Sequence, residues 1–262
     1  MNIVAVIPAR MGSSRFPGKP LAPILGRPMI EHVYWRTLMA QELSAVYIAT
    51  CDNEIADAAK AFGAKVIMTS SEHQRASDRV AEAANHFSAD IVVMVQGDEP
   101  MITPEMVSAS IHPFLEDSTV VCTNLTTRIK TAEEFKDRNT IKVVMDQWNN
   151  ALYFSREPIP TESLLDMAHI PIFKQVCIIA FTRDGLQNFT RLTQTPLEQA
   201  ESIDMLRLVE HGVPVRLVHK ECDTHAVDTP ADLALVEELM RFDPLMSSYT
   251  SNVGAVFPEA IS

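Results

Sequence analysis

A basic segment near the N-terminus has the residue types and spacing to bind an anion. Its cations and small residues are Arg10, Gly12, Ser13, Ser14, Arg15, Gly18 and Lys19. No acidic residue occurs between Met1 and Ile30, although the whole chain has a formal net charge of -12. Glycines let successive N–H groups face an anion, and the serine hydroxyls add donors. The segment therefore predicts an anion site, and a triphosphate is the natural ligand. A solvated surface loop is the alternative, because the spacing matches neither GxxxxGK[ST] nor GxGxxG.

Two aspartates further along the chain could hold a metal ion. Asp98 follows the apolar run 91–95 through Gln96 and Gly97, so it is expected at the tip of a buried strand. A carboxylate there is either a turn or helix cap or a metal ligand. Asp228 precedes Thr229 and Pro230, which are also good helix-start residues. Asp228 can belong to the helix start and also bind a metal ion if Thr229 caps the helix while Asp228 points into the cleft.

Six segments resemble, in order, the Kdo cytidylyltransferases (CMP-Kdo synthetases). They are residues 7–21 (IPAR…GKPL), 26–30 (GRPMI), 68–79 (MTSSEHQ…DR), 95–102 (VQGDEPMI), 151–156 (ALYFSR) and 227–233 (VDTPADL). The matches span about residues 3–240. The Gln-Gly-Asp-Glu-Pro element is the most specific, and it distinguishes this group from the sialic acid synthetases.

The resemblance implies transfer of CMP from CTP to an acceptor hydroxyl, with release of pyrophosphate and a role in lipopolysaccharide biosynthesis. It implies Mg²⁺ bound by Asp98 and Asp228, and a homodimer. The implied catalytic residues are Arg10, Lys19, Asp98 and Asp228. The implied nucleotide-binding residues are Pro8, Ala9, Arg10, Ser13, Ser14, Arg15, Lys19 and Arg79. The implied acceptor-binding residues are Gln96, Arg156, Gln175 and Glu198, with Arg156 gripping a carboxylate; a surface salt bridge is the alternative for Arg156.

The chain departs from the family pattern on the acceptor side. Aligned without a gap, Gln175 replaces a histidine, and Ile179 and Phe181 replace two tyrosines. These changes predict a more apolar pocket. Three acceptors stay open: Kdo, a modified 3-deoxy-octulosonate such as 8-amino-Kdo, and a smaller acid such as a phosphonate; the motifs favour the first two. Arg75-Ala76-Ser77 also stands where the family has Ser-Gly-Thr, which adds a cation.

The elements that must position these residues alternate between strand and helix as far as residue 117. This pattern predicts an α/β fold with a doubly wound, mostly parallel sheet, in which ligands bind beyond the carboxyl ends of the strands. From residue 120 to 190 the strand-like runs lack regular crossovers, which predicts a mixed-strand lobe for dimerisation or a lid. The expected organisation is one nucleotidyltransferase domain over 1–241 and a poorly ordered tail over 242–262.

Composition limits the class of protein. No run reaches the ~18 apolar residues of a membrane span, and no signal peptide is recognisable. The four cysteines have no CxxC spacing, so reduced thiols in a cytoplasmic protein are expected. The acidic balance argues against nucleic-acid binding. A dinucleotide-dependent oxidoreductase is disfavoured by the missing GxGxxG, and a catalytically inactive nucleotide-binding protein by the retained cations and Asp98.

Overall fold

The chain folds around one large sheet. The computed structural model describes residues 1–12, 15–161 and 172–250. The strands are β1 (Ile3–Ala9), β2 (Pro23–Ile24), β3 (Arg27–Pro28), β4 (Ala45–Thr50), β5 (Lys65–Met68), β6 (Ile91–Val95), β7 (Cys122–Arg128), β8 (Lys142–Met145), β9 (Ala151–Ser155), β10 (Phe173–Thr182) and β11 (Arg216–His219). The helices are α1 (Met29–Leu38), α2 (Asn53–Ala61), α3 (Ala76–Ala83), α4 (Pro104–Ile111), α5 (Pro113–Glu116), α6 (Ala132–Lys136), α7 (Arg183–Arg191), α8 (Pro196–Glu201), α9 (Met205–Glu210), α10 (Pro230–Met240) and α11 (Leu245–Thr250).

The central sheet has the strand order β11-β7-β10-β6-β1-β4-β5 in the described residues. β6, β1, β4 and β5 run parallel to one another, whereas β10 is antiparallel to both β6 and β7. The carboxyl ends of β1 and β6 therefore meet at one edge of the sheet, and a ligand at this edge reaches the segments that follow both strands.

Helices cover both faces of the sheet, which confirms the doubly wound α/β prediction. Alternate residues of β1 point to opposite faces: Ile3, Ala5 and Ile7 pack in one core, and Val4 and Val6 in the other. The first core contains residues of α1, α2 and α4, and the second contains residues of α3, α7 and α9. We call these the α1 face and the α3 face. Burial of two apolar surfaces by short βα units drives this arrangement.

The region expected to form a mixed-strand lobe is continuous with the central sheet. β7 and β10 lie within the sheet, between β11 and β6. The hairpin of β8 and β9 joins it through pairing of β8 with the start of β10, and its turn is linked to β11 by a bridge between Asn150 and Arg216. Residues 120–190 therefore supply both core strands and a hairpin attached to them, because the antiparallel β10 can pair on its two edges.

Part of the expected disordered tail is ordered, which corrects the prediction for residues 242–250. Helix α11 lies against α1, and the Tyr249 side chain is buried. The Tyr249 hydroxyl lies 2.9 Å from His32 Nδ1 and accepts a hydrogen bond from Arg36 Nε at 3.1 Å. Arg36 also pairs with Asp243 at 2.6 Å. This segment is held because Tyr249 closes a polar cluster buried on α1, a contact that no local pattern reveals. The rest of the expected tail, residues 251–262, lies outside the described residues.

His32 makes the stability of this cluster depend on pH. His32 Nε2 lies 2.9 Å from the Ile24 carbonyl, which can only accept, so Nε2 carries the proton and Nδ1 is the unprotonated nitrogen that faces the Tyr249 hydroxyl. Burial lowers the pKa of His32 to about 4. The unfolded chain, with a histidine pKa near 6.5, therefore binds more protons than the folded chain between these values. We expect His32 to contribute up to about 3 kcal/mol near neutral pH, and this contribution to vanish as the pH falls to 4.

The measurement is the difference in unfolding free energy between the parent chain and His32→Gln at several pH values. A difference is needed because the pKa of buried Glu99 is raised to about 7, which gives the opposite slope in the same range. The parent should lose up to about 3 kcal/mol of unfolding free energy relative to His32→Gln as the pH drops from 7 to 4. A constant difference over that range would contradict the buried neutral imidazole.

Among the described residues, no helix combines the length and the apolar character needed to cross a membrane. The four cysteines are free thiols.

Candidate active site

A cavity of about 300 Å³ opens at the sheet edge where β1 and β6 end. It is lined by Pro8, Ala9, Arg10, Gly12, Arg15, Lys19, Pro20, His73, Gln74, Arg75, Ala76, Arg79, Gln96, Gly97, Asp98 and Asp228. The described members of the expected nucleotide-binding set all lie here, together with both candidate metal ligands. Ser13 and Ser14, which belong to the same predicted set, lie outside the described residues.

Lys19 lies between the two aspartates. Its Nζ is 2.8 Å from Asp98 Oδ2 and 3.2 Å from Asp228 Oδ1, and Arg15 Nη2 is 3.1 Å from the same Asp228 oxygen. Burial alone would lower the pKa of Lys19, but the Asp98 and Asp228 carboxylates outweigh it and raise the pKa. The ammonium group therefore stays charged at all physiological pH values. The arrangement combines fixed cations for a polyanion with two carboxylates that converge on one positive charge.

The basic loop is held by its backbone. Gly18 adopts a φ of +73°, and its N–H bonds to the Met11 carbonyl at 3.1 Å, which closes the loop just before a short 3₁₀ turn that begins at Lys19. The N–H of Met11 donates to the Asp52 carboxylate at 2.8 Å. Asp52 follows β4, so the neighbouring strand anchors the start of the loop. The cations can therefore face the cavity from a defined backbone path.

Asp98 and Asp228 come together through one backbone hydrogen bond. The N–H of Val227 donates to the Asp98 carbonyl at 2.9 Å. The preceding Gly97 lies so close to β1 that a Cβ atom there would be 3.1 Å from the Pro8 carbonyl oxygen and 3.0 Å from Ile30 Cδ1. A side chain at position 97 would therefore have to displace the Pro8 backbone or Ile30, which explains why glycine suits this close approach.

Asp228 also begins a capped helix, as the sequence allowed. The Thr229 hydroxyl accepts from the Asp232 N–H at 3.3 Å, and the Asp232 carboxylate accepts from the Thr229 N–H at 2.8 Å. This capping box satisfies free donors at the start of α10 and leaves the Asp228 carboxylate for the cavity. The segment Asp228-Thr229-Pro230 therefore both begins α10 and presents the Asp228 carboxylate to the cavity.

The donor set of the two aspartates fits a hard divalent cation. Both carboxylates already reach a single positive group, the Lys19 ammonium, at hydrogen-bond distance. Within the described ranges, no group of three or more His, Cys, Asp or Glu side chains could hold a metal ion. Two carboxylates, with the remaining ligands from water and substrate phosphate, are the pattern that Mg²⁺ uses beside nucleotides. Asp98 and Asp228 are thus the residues that would hold it.

Of the four expected acceptor-binding residues, only Gln96 lines the cavity. Gln175 donates to Asn124 Oδ1 at 2.5 Å. Glu198 is fully buried and accepts two hydrogen bonds from Arg207, at 2.6 and 2.8 Å. Glu198 thus neutralises a buried guanidinium in this structure, and its predicted contact with the acceptor stays a prediction.

Arg156 also lies outside the cavity lining. Its Nε donates to the Glu201 carbonyl at 2.7 Å and its Nη2 to the Ser202 carbonyl at 3.4 Å. It is thus neither a surface salt bridge nor a group open to the cavity, but a brace for the turn between α8 and α9.

The two substitutions behind the expected apolar pocket do not lie at this cavity. Ile179 and Phe181 are buried in the core of the α3 face and do not line the cavity. Strand β10 has an irregularity in register between Gln175 and Ile179, which changes how the side chains after Gln175 are placed. A gap-free alignment could not foresee this irregularity. Neither Ile179 nor Phe181 therefore adds an apolar side chain to the wall of this cavity.

Sequence reasoning missed the part that Arg75 plays at the cavity wall. Its Nη1 donates to Ser202 Oγ at 2.8 Å and lies 3.5 Å from Asp204 Oδ1. Asp204 accepts a hydrogen bond from Ser77 Oγ at 2.6 Å, and burial raises the pKa of Asp204. The only signal was that Arg75 adds a cation where the family pattern has serine.

Comparison with known proteins agrees with this geometry. The family model described as "Cytidylyltransferase" matches residues 4–221. The 3-deoxy-manno-octulosonate cytidylyltransferase of Geobacter metallireducens is 44% identical over 252 residues, covering 92% of this chain and 99% of the relative. That of Geotalea uraniireducens is 44% identical over 250 residues, covering 92% and 100%. A solved CMP:2-keto-3-deoxy-manno-octonic acid synthetase complexed with CTP superposes with a TM-score of 0.86 at 42% identity, covering 92% of this chain and 99% of that one.

Proposed function

This chain belongs to the 3-deoxy-manno-octulosonate (Kdo) cytidylyltransferase family, and on that premise we propose that it transfers CMP from CTP to Kdo or a close variant such as 8-amino-Kdo. It is a CTP-dependent nucleotidyltransferase. The single observation that carries the proposal is the cluster in which Lys19 and Arg15 meet Asp98 and Asp228 at the sheet edge. That cluster joins a polyphosphate-binding loop to a pair of carboxylates.

The reaction joins the acceptor hydroxyl to the α-phosphorus of CTP and breaks the bond to pyrophosphate. Arg10, Arg15 and Lys19 bind the triphosphate and balance the charge that builds up on the departing pyrophosphate. Because these cations sit on a loop fixed at both ends, they need no rearrangement when that charge develops. Gln96, beside Asp98, is placed to hydrogen-bond the acceptor. Catalysis thus consists mostly of positioning and charge neutralisation.

Asp98 and Asp228 are the groups that hold a divalent ion, which we propose is Mg²⁺. When bound, Mg²⁺ lowers the pKa of an attacking hydroxyl and neutralises phosphate oxygens. Lys19 then serves the phosphates, because its flexible stem lets the ammonium leave the carboxylates for the polyanion.

A sugar acid is favoured over a smaller phosphonate as the acceptor. The apolar substitutions that pointed to a smaller acid, Ile179 and Phe181, belong to the core. The cavity wall instead carries polar side chains, among them Gln96, His73 and Gln74. A polyhydroxylated acceptor needs such partners, since each unpaired buried hydroxyl costs about 1–3 kcal/mol.

Pyrophosphate release from CTP and Mg²⁺ tests the proposal directly. The acceptor panel is Kdo, 8-amino-Kdo, sialic acid and a simple phosphonate. We expect turnover with Kdo or 8-amino-Kdo to exceed that with the other two by at least 100-fold, because a missing set of hydroxyl partners costs several kcal/mol. Turnover only with the phosphonate would be consistent with the proposed CTP site but would contradict the proposed sugar-acid acceptor.

The family also supports a homodimer. The hairpin of β8 and β9 carries two exposed large apolar side chains, Trp148 at 72% and Leu152 at 57% exposure. β9 pairs with β8 as a strand, and its first residue, Ala151, also donates its N–H to the Val215 carbonyl at 2.9 Å. The two exposed apolar side chains, rather than a free strand edge, therefore mark the surface for a second copy. A second copy of this chain would cover these groups.

A further inference from the structure

We propose that Tyr249, on the C-terminal helix α11, is a positioning residue for the charged cluster of Lys19, Arg15, Asp98 and Asp228. It acts indirectly, through a small apolar core shared by the segments that carry these groups. This inference rests on the proposed function, since the geometry that Tyr249 fixes is that of the proposed CTP and Mg²⁺ site. It gives a part in catalysis to a segment that the sequence predicted to be a poorly ordered tail.

The small apolar core joins the C-terminal helices to the segments around the cavity. Its buried members are Ile24, Met29, Val227, Val236 and Met240, and the side chains packed against them include Phe16, Leu25, Met101, Leu233 and Met246. We call it the C-terminal core, and it is distinct from the cores on the two faces of the sheet. Helices α10 and α11 both contribute to it. The end of the chain therefore packs in one unit with the segments that form the cavity.

The charged residues lie close in the chain to side chains anchored in the C-terminal core. Three pairs are separated by no more than three positions: Arg15 with Phe16, Asp98 with Met101, and Asp228 with Val227. Lys19 leads into β2, where the Ile24 side chain is fully buried in the same core. Because packed interiors transmit displacement, a shift of this core moves the backbone that carries the cluster.

Tyr249 holds α11 against the C-terminal core. Its hydroxyl lies 2.8 Å from Sδ of Met246, which packs against that core. The same hydroxyl accepts from Arg36 Nε at 3.1 Å and lies 2.9 Å from His32 Nδ1. The other nitrogen of His32 lies 2.9 Å from the Ile24 carbonyl. One buried hydroxyl thus links α11 with α1 and, through α1, with β2.

Arg36 links the same hydroxyl with the segment that follows β6. Its Nη1 donates to the Ile102 carbonyl at 3.3 Å, and the Ile102 N–H donates to the Glu99 carbonyl at 3.3 Å. Its Nη2 pairs with Asp243, just before α11, at 2.6 Å. The Arg36 side chain is fully buried, so removal of one acceptor leaves a costly unsatisfied donor. Tyr249 therefore reaches the cluster by two routes, the C-terminal core and this buried guanidinium.

The first test is Tyr249→Leu, assayed at a temperature where circular dichroism shows that the variant is folded. We expect the Kd for CTP measured by calorimetry to rise about 10-fold and kcat/KM for CTP to fall about 10- to 100-fold, as for misplaced binding groups. Loss of folded protein would lower the apparent kcat and leave the Kd unchanged, so the Kd separates positioning from stability. Parental Kd and kcat/KM in folded Tyr249→Leu would overturn the assignment.

A milder variant keeps the test open if leucine prevents folding. Tyr249→Phe keeps the ring and removes only the hydroxyl, so it should shift both constants about three- to tenfold. Phe242→Leu is the matched control, because Phe242 belongs to the same end of the chain, is 85% exposed and should keep parental constants. Equal losses in the Tyr249 and Phe242 variants would contradict a role specific to Tyr249.

Mn²⁺ binding to the CTP-free enzyme tests the same positioning without the reaction. We expect Tyr249→Leu to weaken Mn²⁺ binding about three- to tenfold, because carboxylates that no longer converge hold a divalent ion less well. Unchanged Mn²⁺ and CTP affinities would both contradict the proposal. If the parent turned over neither sugar acid, the proposed function would fail, whereas these two affinities would still decide the role of Tyr249.

Discussion

Replacing Asp98 by asparagine should lower kcat about 100- to 1,000-fold, which is the effect of removing one preorganised electrostatic group from a reaction centre. Asparagine has the shape of aspartate but lacks the charge that attracts Lys19 at 2.8 Å and that would hold a divalent ion. The backbone carbonyl of Asp98, which accepts from Val227, is unchanged by the substitution. The loss should therefore fall on kcat more than on the KM for CTP.

The fold should survive the Asp98→Asn change. The Asp98 side chain is 30% exposed, so loss of its ion pair should cost no more than about 1 kcal/mol of unfolding free energy. Pyrophosphate release and thermal unfolding measured on the same preparation separate the two effects. Asp57→Asn, on an exposed position of α2, is the matched control and should keep parental activity. Retention of a tenth or more of the parental kcat by Asp98→Asn would exclude Asp98 from the reaction centre.

Replacing Lys19 by methionine should lower kcat/KM for CTP about 100- to 1,000-fold. Methionine keeps much of the length and apolar stem of lysine, so the substitution removes mainly the ammonium group. The raised pKa of Lys19 means that this group is charged throughout the usual assay range. A pH profile of the parent enzyme over that range should therefore show no step from Lys19.

Binding measurements distinguish the role of Lys19 toward the CTP phosphates from its role toward the Asp98 and Asp228 carboxylates. Without the ammonium, Asp98 loses its cationic partner and Asp228 keeps only Arg15, so binding of Mn²⁺ to the CTP-free variant should tighten while CTP binding weakens. Lys19→Arg should restore only part of the activity, because the planar guanidinium differs from a compact ammonium in shape and hydration. Unchanged CTP affinity in Lys19→Met would show that Lys19 serves only the carboxylates.

The sequence alone determined the features that depend on local pattern. Alternating apolar runs and helix signals predicted the α/β order up to residue 117, since burial on both faces of a parallel sheet requires such runs. The absence of acidic residues before Glu31 marked the basic loop, and a carboxylate directly after a buried strand marked Asp98. The same logic recognised Thr229 as a cap beside Asp228. Each of these inferences used residues close together in the chain.

Only the tertiary structure decided which distant groups share a contact. The sequence proposed Glu198 for the acceptor, but its partner Arg207 becomes adjacent only when α8 and α9 pack together. Arg75 reaches Ser202 across 127 residues, and Tyr249 closes a cluster on α1 across 217 residues from His32. Such contacts depend on how whole elements pack, and the order of residues along the chain does not encode them in any local pattern. The same polar side chain can therefore line a cavity or brace a turn, and packing alone chooses between the two.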